Sequence, residues 1–302
     1  MIVRGTFSEL LAPNFNEVFN RTVTEEAPVW TELFDTYPID RAWVEDYSWA
    51  GLEGPEEFGE TEPIPLADPR PGYKTRYVPR KYGRGYRISR ESLDDIQYGG
   101  VLESMPQSLV RGARAHKEIA AASIFNLGFT NTGGDGVPLF STAHPLFGAT
   151  GGVASNRFAT ARPLSHAALK DALLAAAKNV DDVGIPNPVR MTTLLVPRDL
   201  QFVAQEILGT DRVPYSADNT TNVLASQGLR VVVWDYLDNN GENSNWFLLG
   251  SKGDTKLKYF ERYPLTQVAT DIDWNMTMKY GIYEKYAFGF SDYIGTFGVE
   301  GA

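Results

Sequence analysis

Apolar residues recur at helical spacing in one long stretch of the chain. Leu109, Ala113, Ala120, Ile124 and Leu127 fall three, four or seven positions apart, which sets them on one helix face. Ser104-Met105-Pro106-Gln107 ahead of them reads as a capping box with proline in the first turn, and Gly128 closes the run. The spacing predicts a helix over 104–128, roughly 35 Å long at about 1.5 Å per residue. Gly112 inside it costs about 1 kcal/mol relative to alanine and leaves room for a second backbone to approach. Two shorter helices follow, from Ser165 to Asn179 and from Pro197 to Leu208, the first closed near Gly184. Ser89 to Gln97 reads as a further helix start, with Ser92 as cap and Asp94 and Asp95 in the first turn.

Elsewhere the period is two. Met191–Val196, Val231–Trp234 and Trp246–Leu249 are short β-prone runs. From Lys256 to Phe297 polar residues alternate with Tyr280, Tyr283, Tyr286, Phe288, Phe290, Tyr293 and Phe297. Residues 1–41 carry irregularly spaced apolar positions broken by Pro13 and Pro28, the pattern of an extended arm with short helical pieces that needs a partner surface. Thr130–Phe158 is a glycine-rich loop region. Helices and strands mix without a βαβ rhythm or an internal repeat, so the fold class is α+β.

Charge changes this picture most between Ala42 and Arg90. Residues 42–69 contain eight acids and no Lys or Arg; residues 70–90 contain eight bases and no Asp or Glu. Trp43, Val44, Tyr47 and Trp49 make the first stretch strand-like, as Tyr73, Thr75, Tyr77, Val78, Tyr82, Tyr86 and Ile88 do the second. Pro63, Pro65, Pro69, Pro71 and Gly72 mark a turn between them. The reading is a long hairpin with an acidic and a basic arm. A two-stranded hairpin is marginal alone in water and must lie on something. Either its arms neutralise each other within one subunit, or they also meet opposite charges on neighbours, where complementary fields set register. The candidate interface residues are Glu53, Glu56, Glu57, Lys74, Arg76, Arg80, Lys81, Arg84 and Arg87. The acidic arm beside the basic one argues against nucleic-acid recognition.

Composition sets the remaining bounds. The chain has 302 residues, 43% hydrophobic and 22% charged, enough for one large domain or two modest ones. No cysteine is present, which excludes disulfides, thiolate chemistry and Cys-based zinc sites and fits synthesis in a reducing cytosol. No run reaches the ~20 apolar residues of a membrane helix, and Met1–Leu11 lacks the features of a signal peptide. The net charge of -10 does not favour phosphate contacts.

The sequence contains no Gly-x-Ser-x-Gly, P-loop, dinucleotide fingerprint or His-Glu-x-x-His. His116 and His166 read as helix residues at a core edge or in solvent. His144 follows Ser141 and Thr142, but such a spacing in sequence is not a triad. Glu56 and Glu57, or Asp181 and Asp182, read as solvated acids rather than a cation site. No enzyme activity, cofactor or metal is expected.

Several ordered segments carry a resemblance. Tyr82–Arg90 ahead of the long helix, then Gly133-Gly-Asp-Gly-Val-Pro-Leu-Phe-Ser-Thr-Ala-His144-Pro, the following Ser155-Asn156, Leu194–Leu200, Gly228–Val233 and Asn245–Gly250 resemble, in that order along the chain, the major capsid proteins of tailed bacteriophages, including those similar to the head subunit of Mu-like phages. The resemblance spans roughly residues 73–297. It implies the Hong Kong 97-type capsid fold: an N-terminal arm at 1–41, an extended loop at 42–90, a peripheral domain at 91–160 and 256–290 with a spine helix at 104–128, and an axial domain at 161–255 and 291–302. It also implies a virion protein assembled in the host bacterial cytoplasm from pentamers and hexamers of itself. Such a shell encloses double-stranded DNA as a container, with portal, scaffold or decoration proteins as further partners. Some relatives crosslink Lys to Asn; Lys74 and Lys81 lie in the loop, but no acceptor is identified and that activity is not carried over. An encapsulin-like shell around cargo enzyme, and a small α+β hydrolase, are the competing expectations.

Overall fold

The computed structural model describes residues 28–49, 51, 54–55, 57–60, 62–66, 71–89, 91, 99–146, 152–181, 184–214, 220–237, 244–270 and 275–301. A short helix α1 (Trp30–Leu33) leads into β1 (Asp35–Pro38), β2 (Val44–Trp49), β3 (Pro71–Tyr77) and β4 (Arg80–Ser89). The long helix α2 (Gly99–Asn126) follows, then two two-residue strands, β5 (His144–Pro145) and β6 (Val153–Ala154). Next come α3 (His166–Ala177), β7 (Thr193–Val196), α4 (Gln201–Gly209), β8 (Arg230–Val233) and β9 (Trp246–Leu249). Two long strands, β10 (Leu257–Thr270) and β11 (Thr277–Phe290), and then β12 (Thr296–Val299) complete the described chain.

The first sheet has the order β1-β10-β11-β4, with β1 parallel to β10 and the other pairs antiparallel. Along β11 every second residue turns inward: Met278, Tyr280, Ile282, Glu284 and Tyr286 are buried. Helix α2 packs on that inner face. Aromatic rings fill the interval, with Trp30 and Tyr259 centroids 4.4 Å apart and Phe34 and Phe288 5.1 Å apart. Strand and helix are thus joined by the two periodicities read in the sequence, two on β11 and 3.6 on α2.

The second sheet has the order β12-β9-β7-β8 and is buried on both faces. Leu195, Phe247 and Leu249 join the core under α2, while Leu194, Val196, Trp246 and Leu248 join a second core with α3 and α4. This is why 246–249 is a continuous apolar run rather than an alternating one. Ser165 caps α3, its hydroxyl accepting the Ala168 amide at 3.2 Å. Ala168, Ala172 and Ala176 then let that helix sit close to the sheet. Phe140 is fully buried between Gly128 and Gly298; a Cβ would lie 2.7 Å and 2.5 Å from its ring at those two positions.

Two expectations change. The long helix begins at Gly99, so Ser104 and Pro106 lie inside it rather than at its start. Proline is tolerated in a first turn, which is what the motif suggested. In the interior it removes the bond to the residue-102 carbonyl at about 3 kcal/mol, which the packing of the following turns outweighs. Ser89 closes β4, and of the helix start expected over 89–97 Glu91 is helical, while Ser92, Asp94 and Asp95 lie outside the described residues. Gly112 meets no second backbone: a Cβ there has nothing within 4 Å. Of the expected N-terminal arm, residues 1–27 lie outside the described residues, and 30–38 form α1 and β1.

Candidate subunit interface

The charged hairpin forms, but only over part of the stretch that predicted it. β2 and β3 pair antiparallel with Glu45 opposite Arg76, Asp46 opposite Thr75 and Tyr47 opposite Lys74. The Glu45 and Tyr47 side chains face outward. There Lys74 Nζ lies 2.6 Å from Glu45 Oε2, the Arg76 guanidinium lies 4.4 Å from the Trp43 ring, and Lys74 lies 5.6 Å from that of Tyr47. The hydrogen bond from Lys74 holds the Glu45 carboxyl below its usual pKa, and Glu45 raises that of Lys74 in return. Both are exposed, so the pair fixes register more than it adds stability.

The opposite face of the hairpin is anchored to the body. Asp46 accepts hydrogen bonds from Lys258 Nζ and from the Ser291 hydroxyl. Burial alone would raise its carboxyl; the bonds to Lys258 and Ser291 outweigh that and leave it lowered. Tyr77, buried against Phe260 with centroids 4.6 Å apart, donates to Ser291 Oγ at 2.7 Å. Burial raises the Tyr77 hydroxyl well above its ordinary value, so it stays a neutral donor. Tyr73 donates to the Pro145 carbonyl at 3.1 Å and ties the hairpin to the 133–146 loop.

The rest of the basic arm goes elsewhere. Arg80, Lys81, Arg84 and Arg87 lie on β4, which pairs with β11 and not with the acidic stretch. They are exposed, and they divide between the two faces by the alternation of a strand. Arg84 lines a groove with Ser108, Gly112 and His116 of α2, whereas Lys81 and Arg87 face away from the helix. Glu57 is exposed in the segment between β2 and β3; Glu53 and Glu56 lie outside the described residues. The single charge-matched hairpin over 42–90 is therefore corrected to a short hairpin followed by a strand of a different sheet. Local charge pattern could not reveal a partner strand 190 residues away. On the face of β11 turned away from α2, Lys285 stands opposite Lys81 and Lys279 opposite Arg87.

Helix α2 ties the interface strands to the rest of the molecule through three consecutive residues. His116 Nδ1 lies 2.9 Å from the Tyr286 hydroxyl. Lys117 Nζ lies 2.9 Å from Glu284 Oε2 inside a ring of aromatics, 5.0 Å from the Tyr286 centroid and 5.6 Å from that of Tyr259. Glu118 accepts the Val29 amide at 2.8 Å and the Trp234 indole N–H at 2.6 Å. Burial raises the Glu118 carboxyl, and those two donors partly offset it.

The 133–144 segment is a structural lock. His144 is 1% exposed and stacks on Tyr293 at 3.9 Å. Its Nδ1 lies 2.7 Å from Asp135 Oδ2 and its Nε2 3.1 Å from Asn156 Oδ1. Asn156 Nδ2 donates to the Leu139 carbonyl at 2.7 Å, and its Oδ1 also accepts the Ser141 amide at 2.9 Å. The Ser141 hydroxyl caps the Ala143 amide at 3.2 Å. Both ring nitrogens of His144 are engaged away from Ser141, so the two do not form a nucleophile and base.

The molecule's relatives agree with this geometry. A family model described as phage capsid protein matches residues 72–298. No curated protein sequence matches the chain. Among solved structures, the procapsid of bacteriophage JBD30 aligns over 99% of this chain and 77% of its own, at 15% identity and a TM-score of 0.52. The capsid of an empty GTA particle aligns over 90% and 89%, at 11% identity and a TM-score of 0.58. A virus-like particle from Pyrococcus furiosus aligns over 95% and 98%, at 9% identity and a TM-score of 0.52. The mixed helix and sheet architecture is that of the Hong Kong 97-type phage capsid proteins, and by its match over 72–298 the chain belongs to the phage capsid protein family.

Proposed function

We propose that copies of this chain close an icosahedral head around the double-stranded DNA of a tailed phage. The role is that of a structural major capsid protein of the virion; the observation that carries it is the family match across 72–298, which takes in β4, α2 and every element from there to β11. Rings of five and six form through heterologous contacts, and small bends between rings close the shell.

In this reading residues 1–41 are the N-terminal arm and 42–90 the extended loop that lies over a neighbour. Residues 91–160 and 256–290 form the peripheral domain with α2 as its spine, and 161–255 and 291–302 the axial domain. One hydrophobic core gathers around α2, β10 and β11 and reaches into 161–255 through Leu195, Val232, Trp234, Phe247 and Leu249, and the other gathers around α3, α4 and β12. Glu57, Lys74, Arg76, Arg80, Lys81, Arg84 and Arg87, with Glu53 and Glu56, are its interface charges. Assembly takes place in the host bacterial cytoplasm, with portal, scaffold or decoration proteins as separate chains. A net charge of -10 suits a container that encloses DNA without recognising its sequence.

A shell that encloses cargo protein is the second reading, favoured by the likeness to the Pyrococcus furiosus particle over nearly all of that chain. Electron microscopy and nucleic-acid content of particles from cells expressing the neighbouring genes separate the two. Large DNA-filled heads support the phage reading; small DNA-free shells around an enzyme contradict it.

A further inference from the structure

β4 ends the first sheet, and among the described residues no strand pairs with its outer edge. All ten of its residues pair with β11 on the inner side without a register shift, so no bulge twists the open edge away. An open edge presents a row of N–H and C=O groups to any extended chain. Folded proteins guard such edges by keeping them short, by bulges or proline, by a covering segment, or by charge. Among the described residues charge alone guards this one. Arg80, Lys81, Arg84 and Arg87 are exposed, and none of them takes part in an ion pair among those residues.

A groove of about 480 Å³ runs beside the same strand, between β4 and the middle of α2. Tyr82, Leu109, Gly112, Ala113 and Ile282 line it, with Arg84 beside them. Glu284, which also reaches it, is already engaged by Lys117 at 2.9 Å. Gly112 opens a notch in the helix wall, since a Cβ there meets nothing within 4 Å. Ladder hydrogen bonds from an open edge and a side-chain pocket next to it are the two parts by which a sheet takes up an added strand.

The cations select which strand fits. Two β4 edges brought together would set like charges against each other, so a copy of the same edge is rejected. The chain's own acidic stretch is also unsuited. β2 is already paired with β3, and beyond it Pro55, Pro63, Pro65 and Pro69 cannot donate to a ladder. Between these prolines Glu62 Oε2 accepts the Gly59 amide at 3.0 Å, and the Glu62 amide donates to the Gly59 carbonyl at 3.1 Å, which makes a turn and not a strand. The phosphate backbone of DNA offers acceptors only and would leave the edge carbonyls unanswered.

We infer that the outer edge of β4 takes up an extended acidic segment of a different protein chain as an added strand. Its carboxylates lie against Arg80, Lys81, Arg84 and Arg87, and one bulky apolar side chain enters the groove beside Gly112. The site is complete in a single subunit and does not depend on the shell-building role.

The probe is a short peptide that alternates glutamate with valine and carries one central leucine, added to the full chain as the unassembled subunit. Binding is expected to slow amide exchange across Arg80–Gly85, and Arg84→Glu or Lys81→Glu/Arg87→Glu to weaken it about tenfold or more. Gly112→Leu fills the groove at an open helical position, so it is expected to raise the melting temperature while abolishing peptide binding. Gly112→Ala, a smaller filler, is expected to raise the melting temperature and weaken binding less. Unchanged affinity in Gly112→Leu overturns the inference. So does equal binding of a peptide with proline at alternate positions, of polyglutamate, or of single-stranded DNA, because each lacks the ladder donors or the apolar side chain. Failure of the peptide to bind overturns it, as do β4 amides already protected in the peptide-free subunit, which would show the edge covered by the chain itself. None of these outcomes bears on shell building, which particle formation decides separately.

Discussion

Nε2 of His144 lies 3.1 Å from Oδ1 of Asn156, an oxygen that already accepts the Ser141 amide at 2.9 Å. The amide cannot be reversed without setting its NH2 against the Ser141 N–H, so Nε2 must donate. On the other side of the ring Nδ1 lies 2.7 Å from Asp135 Oδ2. The buried ring is therefore held between Asp135 and Asn156 and by its stack on Tyr293. Asn156→Ala orphans the Leu139 carbonyl and the Ser141 amide together. At about 1–3 kcal/mol per unsatisfied group the loss exceeds ~2 kcal/mol. Chemical denaturation of the unassembled subunit checks it; a loss below ~1 kcal/mol contradicts the lock.

Acid should release the hairpin before it unfolds the body. The Asp46 carboxyl is held below its ordinary value of 3.8 by Lys258 and Ser291. A lowered folded value means that the contribution is fully present above the unfolded value and is lost as pH falls through the folded one. Amide exchange in Val44–Tyr47 and Tyr73–Tyr77 is expected to accelerate below about pH 4, the ordinary carboxylate range, ahead of exchange in β10 and β11. Asp46→Asn should remove this acid step and leave the hairpin weakly held at all pH values. An unchanged step in that variant assigns it to another carboxyl.

Lys117 and Glu284 form a buried pair, with side chains 13% and 4% exposed. Removing one partner strands a charge in the interior. Lys117→Met is expected to cost about 3–5 kcal/mol, and Lys117→Met/Glu284→Leu to recover most of that. Equal losses in the single and double variants would show that the pair is not coupled.

Phe140 occupies a slot that Gly128 and Gly298 leave for it. Phe140→Ala should cost about 3–5 kcal/mol, because the backbone on both sides cannot close on the cavity. Gly298→Ala is expected to destabilise as well, since the new methyl would enter the ring. Thermal melts of the two variants check this; wild-type stability in either one contradicts the packing.

Much of this architecture was legible in local pattern. The alternation on β11 and the apolar run on β9 are each local, and Glu45 and Lys74 stand on two strand-like stretches of opposite charge joined by a proline-rich turn, so period and turn chemistry suffice to read them. The pairing of β4 with β11 and of β1 with β10 joins distant segments, and local periodicity carries no register for such contacts. Pro106 misled because proline marks a helix start and also survives inside a helix held by tertiary packing. Asp46, Glu118 and Glu284 look like surface acids in sequence. Only the folded chain shows that Lys258, Trp234 and Lys117 meet them. The 133–144 motif pointed to the right family, but its reason, a histidine locked by Asp135 and Asn156, is visible only in three dimensions.

The central claim is that this chain builds a closed shell from copies of itself. Electron microscopy with sedimentation of the chain, expressed alone and with its neighbouring genes, tests it most directly. Closed icosahedral shells, or rings of five and six, are the predicted result. A monomer or dimer under both conditions, with neither rings nor shells, would contradict it.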